Sequence, residues 1–187
     1  MSWHVLFVET GRENLAARIV GKAVDHFCSH IQYKPLIPRR VMLEKYGGNI
    51  IERARIMFAG YVFIETDSPW DIHRAAKHHC QHIYGFLRQY DYMKEVRLEE
   101  ISRLIYLLDD NQTIGVSDIF ALDDRVLVTN GPLQNYEGYI HKIDRRKGRA
   151  KVNFQFGGED HLIDLSVNLL EKMRAEMVKN EILFYRR

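Results

Sequence analysis

The densest chemistry in this 187-residue sequence is cationic. Between Arg125 and Lys151 seven basic residues (Arg125, Lys142, Arg145, Arg146, Lys147, Arg149 and Lys151) stand against two acids, Glu137 and Asp144. That local excess is larger than the +2 carried by the whole chain. Arg145, Arg146, Lys147 and Arg149 flank one β-turn, so their charges project together, and fixed cations release condensed counterions on meeting a phosphate backbone. Tyr136, Tyr139 and Phe156 lie close enough in sequence to offer rings on which bases stack. A nucleic-acid contact and a merely solvated turn are both consistent with this pattern.

Other constellations are weaker. Arg39, Arg40, Lys45, Arg53 and Arg55 sit on the arms of one hairpin with Glu44 and Glu52 among them. The mixed signs leave DNA contact and cross-strand ion pairing open. Trp3, Phe58, Tyr61 and Phe63 alternate with other apolar residues, which suits a core or a hydrophobic groove for a partner helix. His73, His78, His79 and His82 cluster beside Cys80, with His78 and His82 on one helix face. No HExxH or CxxC pattern accompanies them, so an exposed polar face is favoured over zinc. Nucleophile elbow, P-loop and GxGxxG are all missing, and nothing supports enzymatic activity or a cofactor.

The elements that would carry these residues fall into two textures. Trp3–Val8 is an almost continuous apolar run, as in a strand covered on both faces. Thr10-Gly11-Arg12-Glu13 fits a capping box, and Leu15, Ile19, Ala23 and Phe27 predict one buried helical stripe. Val41 to Thr66 reads as a hairpin turning at Gly47-Gly48, its second arm ending in an aromatic strand from Met57 to Ile64. Ser68-Pro69 starts a helix running to about Cys80, Ile83–Leu87 is a further strand, and Ile101, Leu104, Ile105 and Leu108 mark a third helix face. The first unit, residues 1–110, therefore reads β-α-β-β-α-β-α, an α/β sandwich. Residues 111–122 lose periodicity and read as a linker. From 123 to 173 short strands alternate with turn signals at Asn130-Gly131-Pro132, Arg146-Lys147-Gly148 and Gly157-Gly158, predicting a small curved β-barrel. Residues 174–187 form an extension whose conformation the pattern leaves open.

Composition removes whole classes. No apolar run approaches the roughly 20 residues of a membrane span. The start lacks the layout of a signal peptide, and two cysteines make no disulfide framework, so a reducing cytoplasm is expected. Hydrophobic residues make up 46% of the chain, enough to bury a core.

Three segments, in order along nearly the whole chain, resemble the NusG transcription elongation factors. They are Trp3-His4-Val5-Leu6-Phe7-Val8-Glu9-Thr10-Gly11-Arg12-Glu13, Phe58-Ala59-Gly60-Tyr61-Val62-Phe63-Ile64, and Asp124-Arg125-Val126-Leu127-Val128-Thr129-Asn130-Gly131-Pro132-Leu133. The segment starting at Phe58 is similar to the family's F-P-G-Y-V signature, with Ala59 in place of proline. The segment starting at Asp124, with Glu137-Gly138 and Phe156-Gly157 beyond it, resembles a KOW motif with Asp124 and Leu133 at positions where Gly and Phe are usual. The wording F-V-E-T-G-R-E and G-Y-V-F-I-E-T is similar to specialised paralogues of the LoaP antiterminator type.

The resemblance implies an α+β fold: a NusG-like N-terminal sandwich of antiparallel sheet with flanking helices, then a KOW SH3-like β-barrel. It implies a monomer that binds the clamp helices of RNA polymerase through Trp3, Phe58 and Tyr61. Arg39, Arg40, Arg53 and Arg55 would face upstream or non-template DNA, and Phe156 would meet a protein partner. For LoaP-type members it implies binding of a nascent RNA hairpin, which the charge pattern would place on Lys142, Arg145, Arg146, Lys147 and Arg149, with Tyr136 or Tyr139 stacking. The expected outcome is processive antitermination; a housekeeping elongation factor coupling polymerase to ribosome or Rho is the other expectation.

Overall fold

A computed structural model describes residues 1–77, 79–122 and 125–170. The extension expected at 174–187 lies outside the described residues, as do positions 123, 124 and 171–173 of the second unit.

The elements run in chain order as β1 (Ser2–Val8), α1 (Glu13–Phe27), β2 (Tyr33–Leu36), β3 (Arg39–Tyr46), β4 (Asn49–Ile56), β5 (Tyr61–Thr66), α2 (Pro69–Lys77) and β6 (Ile83–Phe86). The short strands β7 (Arg88–Gln89), β8 (Tyr92–Met93) and β9 (Glu95–Val96) lead into α3 (Leu98–Leu107). Then come β10 (Thr113–Ile114), β11 (Ser117–Leu122), β12 (Arg125–Asn130), a 3-10 turn (Glu137–Tyr139), β13 (Ile140–Asp144), β14 (Arg149–Phe156) and β15 (Glu159–Leu169).

The main sheet has the order β2-β5-β1-β6, with β9 pairing β1. Its strands are antiparallel, with Val5 opposite Phe63 and Leu6 opposite Val62. Side chains alternate across a strand, so this register sorts the apolar run of β1 onto two faces. Leu6, Val8, Val62 and Ile64 pack under α1 and α2 with Ala16, Val20, Val24 and Ile72. Trp3, Val5, Phe58 and Phe63 lie on the other face, with Ile101, Leu104 and Leu107 of α3. Coverage on both sides is why β1 reads as a continuous hydrophobic run rather than an alternating one.

Three expectations need correction. The α1 stripe is rotated by one position: Ala16, Val20, Ala23 and Val24 are buried, while Phe27 is exposed. The small Ala16 and Ala23 let the helix backbone approach the sheet, and Glu13, inside the first turn, turns inward with them. The aromatic strand after the hairpin is not its second arm. The arms are β3 and β4, joined at Gly47-Gly48 with φ of +58° and +85°, and β5 belongs to the main sheet instead. The segment read as a linker contains two strands. Thr113 and Ile114 pair in parallel with Arg39 and Arg40, and β11 joins the second sheet. Ile114 and Ile119 are each buried and anchor these two strands without a periodic stripe.

The second unit is a sheet of order β12-β11-β15-β14-β13, with Ala150, Val152, Leu165 and Val167 in its core. Among the described residues no pairing joins β12 to β13, so the β-rich unit is not a closed barrel there. Its core runs without a break into the α3 face of the main sheet, forming one hydrophobic cluster from Trp3 to Val167.

Candidate functional site

Phe58 sits between β4 and β5, and Gly60 two residues on sets its aim. Gly60 has φ +83°, and a Cβ there would stand 3.2 Å from the Val8 carbonyl oxygen and 3.3 Å from Thr10 Oγ1. Only glycine suits that backbone and that closeness. Glu13 holds the turn from below: its Oε1 accepts from the Gly60 N–H at 2.7 Å and from the Gly11 N–H at 3.1 Å. The expected capping box is therefore half realised. Glu13 reaches back, but the helix has no side-chain cap at its N-terminus. A carboxylate only 1% exposed is spent on fixing the F-A-G-Y turn.

That turn presents Phe58, Tyr61 and Phe63 to the second unit. Phe156 packs edge-on against Phe58 at 4.9 Å, against Phe63 at 5.3 Å and against Tyr61 at 5.8 Å between ring centroids. Phe154 and His161 also meet Phe58 edge-on. His161 stacks flat on Phe156 at 3.7 Å, and burial lowers its pKa against the opposing pull of Glu159 and Asp160. Edge-to-face rings add a directional preference to the area they bury. Phe58 is consequently 4% exposed and Tyr61 half-buried, while Trp3, beside β9, is 7% exposed. Phe156 is itself buried in this seam.

Polar bonds flank the aromatic contact. Arg40 Nη1 donates to the Asp164 carbonyl at 2.6 Å. Its Nε is buried without a partner, and desolvation pulls the guanidinium below the usual arginine pKa. The Leu43 N–H donates to Ser166 Oγ at 3.0 Å. Arg149 Nη2 donates to the Leu43 carbonyl at 3.0 Å, and its Nη1 lies 2.8 Å from Met42 Sδ. Lys94 Nζ donates to the Gly157 carbonyl. Two arginines grouped by sequence with nucleic-acid surfaces, Arg40 and Arg149, are thus struts between the units.

The remaining expected residues separate into three places. Arg53 and Arg55 both pair with Glu44 across the hairpin, Arg55 through three hydrogen bonds, and Arg39 donates to Asn14 Oδ1. This is the cross-strand ion pairing that the mixed signs allowed. Lys142, Arg145, Arg146 and Lys147 are exposed on β13 and its turn, with Lys147 4.0 Å from Asp144. Tyr136 and Tyr139 form a ring cluster with two α3 residues that the sequence pattern does not single out. Tyr106 stacks on Tyr136 at 5.7 Å, and Arg103 lies 5.1 Å over the Tyr139 ring. Exposed Tyr106 lies one position along from Ile105 on the outer face of a helix, which gives no periodic signal.

The histidines do not converge. His82 pairs with Glu9, His79 stacks on exposed Phe27, and His73 packs against Phe86. His78 lies outside the described residues. No group of three potential metal ligands occurs among the described residues.

Residues 1–105 match the family described as transcription termination factor NusG. Curated relatives over the full length include the transcription termination/antitermination protein NusG of Rickettsia conorii, 24% identical over 179 residues, covering 91% of this chain and 89% of that one. The protein of the same name from Halalkalibacterium halodurans is 25% identical, covering 92% of this chain and 98% of the other. A solved structure described as domain interaction in Thermotoga maritima NusG covers 88% of this chain and 93% of its own, with 17% identity and a TM-score of 0.50. That likeness concerns the fold.

Proposed function

This chain belongs to the NusG family of transcription termination/antitermination factors, not to the enzymes, and we propose that within it the protein is a processive antiterminator. The first unit grips RNA polymerase through the apolar face around Trp3, Phe58 and Tyr61, at the clamp helices. The basic turn of the second unit, Lys142 with Arg145, Arg146 and Lys147, catches a hairpin in the nascent leader RNA in the cytoplasm. Hairpins are read largely by shape, phosphates and unstacked loop bases, and a compact cationic turn can supply the phosphate contacts. Arg149, engaged in the seam, joins that surface only when the units part. The exposed Arg53 and Arg55 follow upstream or non-template DNA once Glu44 is outcompeted, and half-buried Arg39 joins them only by leaving Asn14.

One observation carries this reading: the sheet face assigned to polymerase is already an aromatic contact surface, and the second unit occupies it through Phe154, Phe156 and His161. A face that accepts one apolar partner by ring packing can exchange it for another. Binding polymerase therefore requires the second unit to swing away, and preference for the elongating enzyme over the paused one is what would give antitermination. The housekeeping reading draws on the full-length relatives, whose names cover termination as well as antitermination.

Transcription through a terminator in vitro, with and without a structured leader upstream, tests the proposal. Readthrough that depends on the leader, and loses that dependence in Arg145→Ala/Arg146→Ala, is expected. Equal readthrough on both templates assigns the housekeeping role.

A further inference from the structure

A cavity of about 140 Å³ opens at the seam between α3 and β14, lined by Glu100, Arg103, Tyr136, Tyr139, Asn153 and Gln155 among others. Its walls carry chemistry unlike the hydrophobic cluster next to it. Tyr136 and Tyr139 stand 5.6 Å apart, Tyr106 continues the stack outward, and Arg103 covers Tyr139. Burial and the adjoining phenols Tyr106 and Tyr139 raise the Tyr136 pKa, which keeps that ring a neutral platform.

An unfilled acceptor adds to this. Asn153 Nδ2 donates to Asp160 Oδ1 at 3.2 Å, which fixes the orientation of the amide, and Asn153 Oδ1 is then buried without any donor. An orphaned buried acceptor costs stability unless something donates to it. Glu100 adds a carboxylate to the same cavity and Arg103 a guanidinium. Flat rings for stacking, two acceptors and one planar donor describe the complement of a heterocycle with adjacent N–H donors beside a carbonyl.

We propose that this cavity is a guanine-binding site assembled by both units. Guanine presents N1–H and its 2-amino group to Asn153 Oδ1 and Glu100, turns O6 toward Arg103, and stacks on the tyrosine cluster. Adenine lacks the paired donors and uracil the amino group, so each leaves at least one of these two acceptors unpaired, which is how hydrogen-bonding sites discriminate. The base comes either from a free guanine nucleotide or from an unpaired guanosine of RNA; the chemistry is shared. Because Glu100, Arg103 and Tyr106 belong to α3 while Tyr136, Tyr139 and Asn153 belong to the second unit, an occupied cavity holds the units closed. The site shares Tyr136 and Tyr139 with the RNA reading above but stands without the hairpin-binding turn.

Titration calorimetry of the full chain with guanosine 5′-monophosphate, adenosine 5′-monophosphate, uridine 5′-monophosphate, and a uridine pentamer with or without one central guanosine tests it. Saturable binding of a guanine-bearing probe, at least about tenfold tighter than its counterparts, is expected. It should be lost in Asn153→Leu and Arg103→Ala and kept in Arg145→Ala/Arg146→Ala, each variant first shown folded by circular dichroism. Binding of the monophosphate points to the free nucleotide, and binding of the guanosine pentamer alone points to RNA; either supports the site. No saturable binding of any guanine probe, equal affinity for all bases, or full binding by folded Asn153→Leu would overturn it. Loss of hairpin binding in the basic-turn variant with guanine binding intact separates this site from the antitermination reading.

Discussion

Glu13 shows how much a single side chain can carry. Its carboxylate is buried, one oxygen serves two backbone N–H groups, and the other has no partner. Glu13→Ala would orphan the Gly60 N–H and is expected to cost about 1–3 kcal/mol in urea unfolding, with Glu13→Gln retaining part of it. The sequence marks Glu13 as a helix-start residue; its longer reach, to Gly60, depends on a pairing 47 residues away and was not legible. Arg149 teaches the same point from the other side. Its charge groups it with the rest of the turn, yet its guanidinium meets Leu43 and Ser166. In Arg149→Ala the Leu43 amide should exchange hydrogen faster while the Val62 amide, deep in the main sheet, keeps its rate. His161 adds a pH dependence. Its pKa is lowered by burial in the folded chain, so the unfolded chain binds the proton more readily. Its contribution is complete above about pH 6.5 and is lost as pH falls from there toward the lowered folded-state value. His161→Phe should flatten that part of the stability profile, read as melting temperature against pH.

Elements were legible where a period or a turn signal was local. β1, α2, α3 and the β14 strand lie close to where the residues predict them, because apolar spacing and the Ser68-Pro69 start are near-neighbour signals. The α1 stripe was misphased since Leu15 and Ile19 outweigh alanines in any hydropathy count, whereas close packing prefers Ala16 and Ala23. Strands β10 and β11 were missed because β10 is two residues long with one deeply buried side chain, Ile114, and the apolar run from Ile119 to Leu122 shows neither a helical nor an alternating period. Gly60→Ala tests the junction between hairpin and sheet. The positive φ and the 3.2 Å approach to the Val8 carbonyl make it destabilising by more than the roughly 1 kcal/mol of an ordinary glycine replacement, measured by chemical denaturation. A result near zero would mean the turn relaxes without moving Phe58.

At the level of the whole molecule, the two textures in the sequence lie in separate sheets that share one hydrophobic cluster, and the contact between them has no sequence signature of its own. Phe58 and Phe156 each read, by sequence, as surfaces for outside partners, and in the structure they face each other. Two apolar faces suited to exchange will satisfy one another when nothing else is bound, which follows from the cost of exposed hydrophobic area. On the proposed grip, the second unit and polymerase compete for the same rings, and loosening the seam raises apparent affinity by the fraction of molecules it opens. Retention of core RNA polymerase by immobilised full-length protein tests this most directly, comparing wild type with Phe156→Ala and Tyr61→Ala. Stronger retention by Phe156→Ala and weaker retention by Tyr61→Ala are predicted; unchanged retention in both would contradict the sheet face as the polymerase grip and the second unit as its cover.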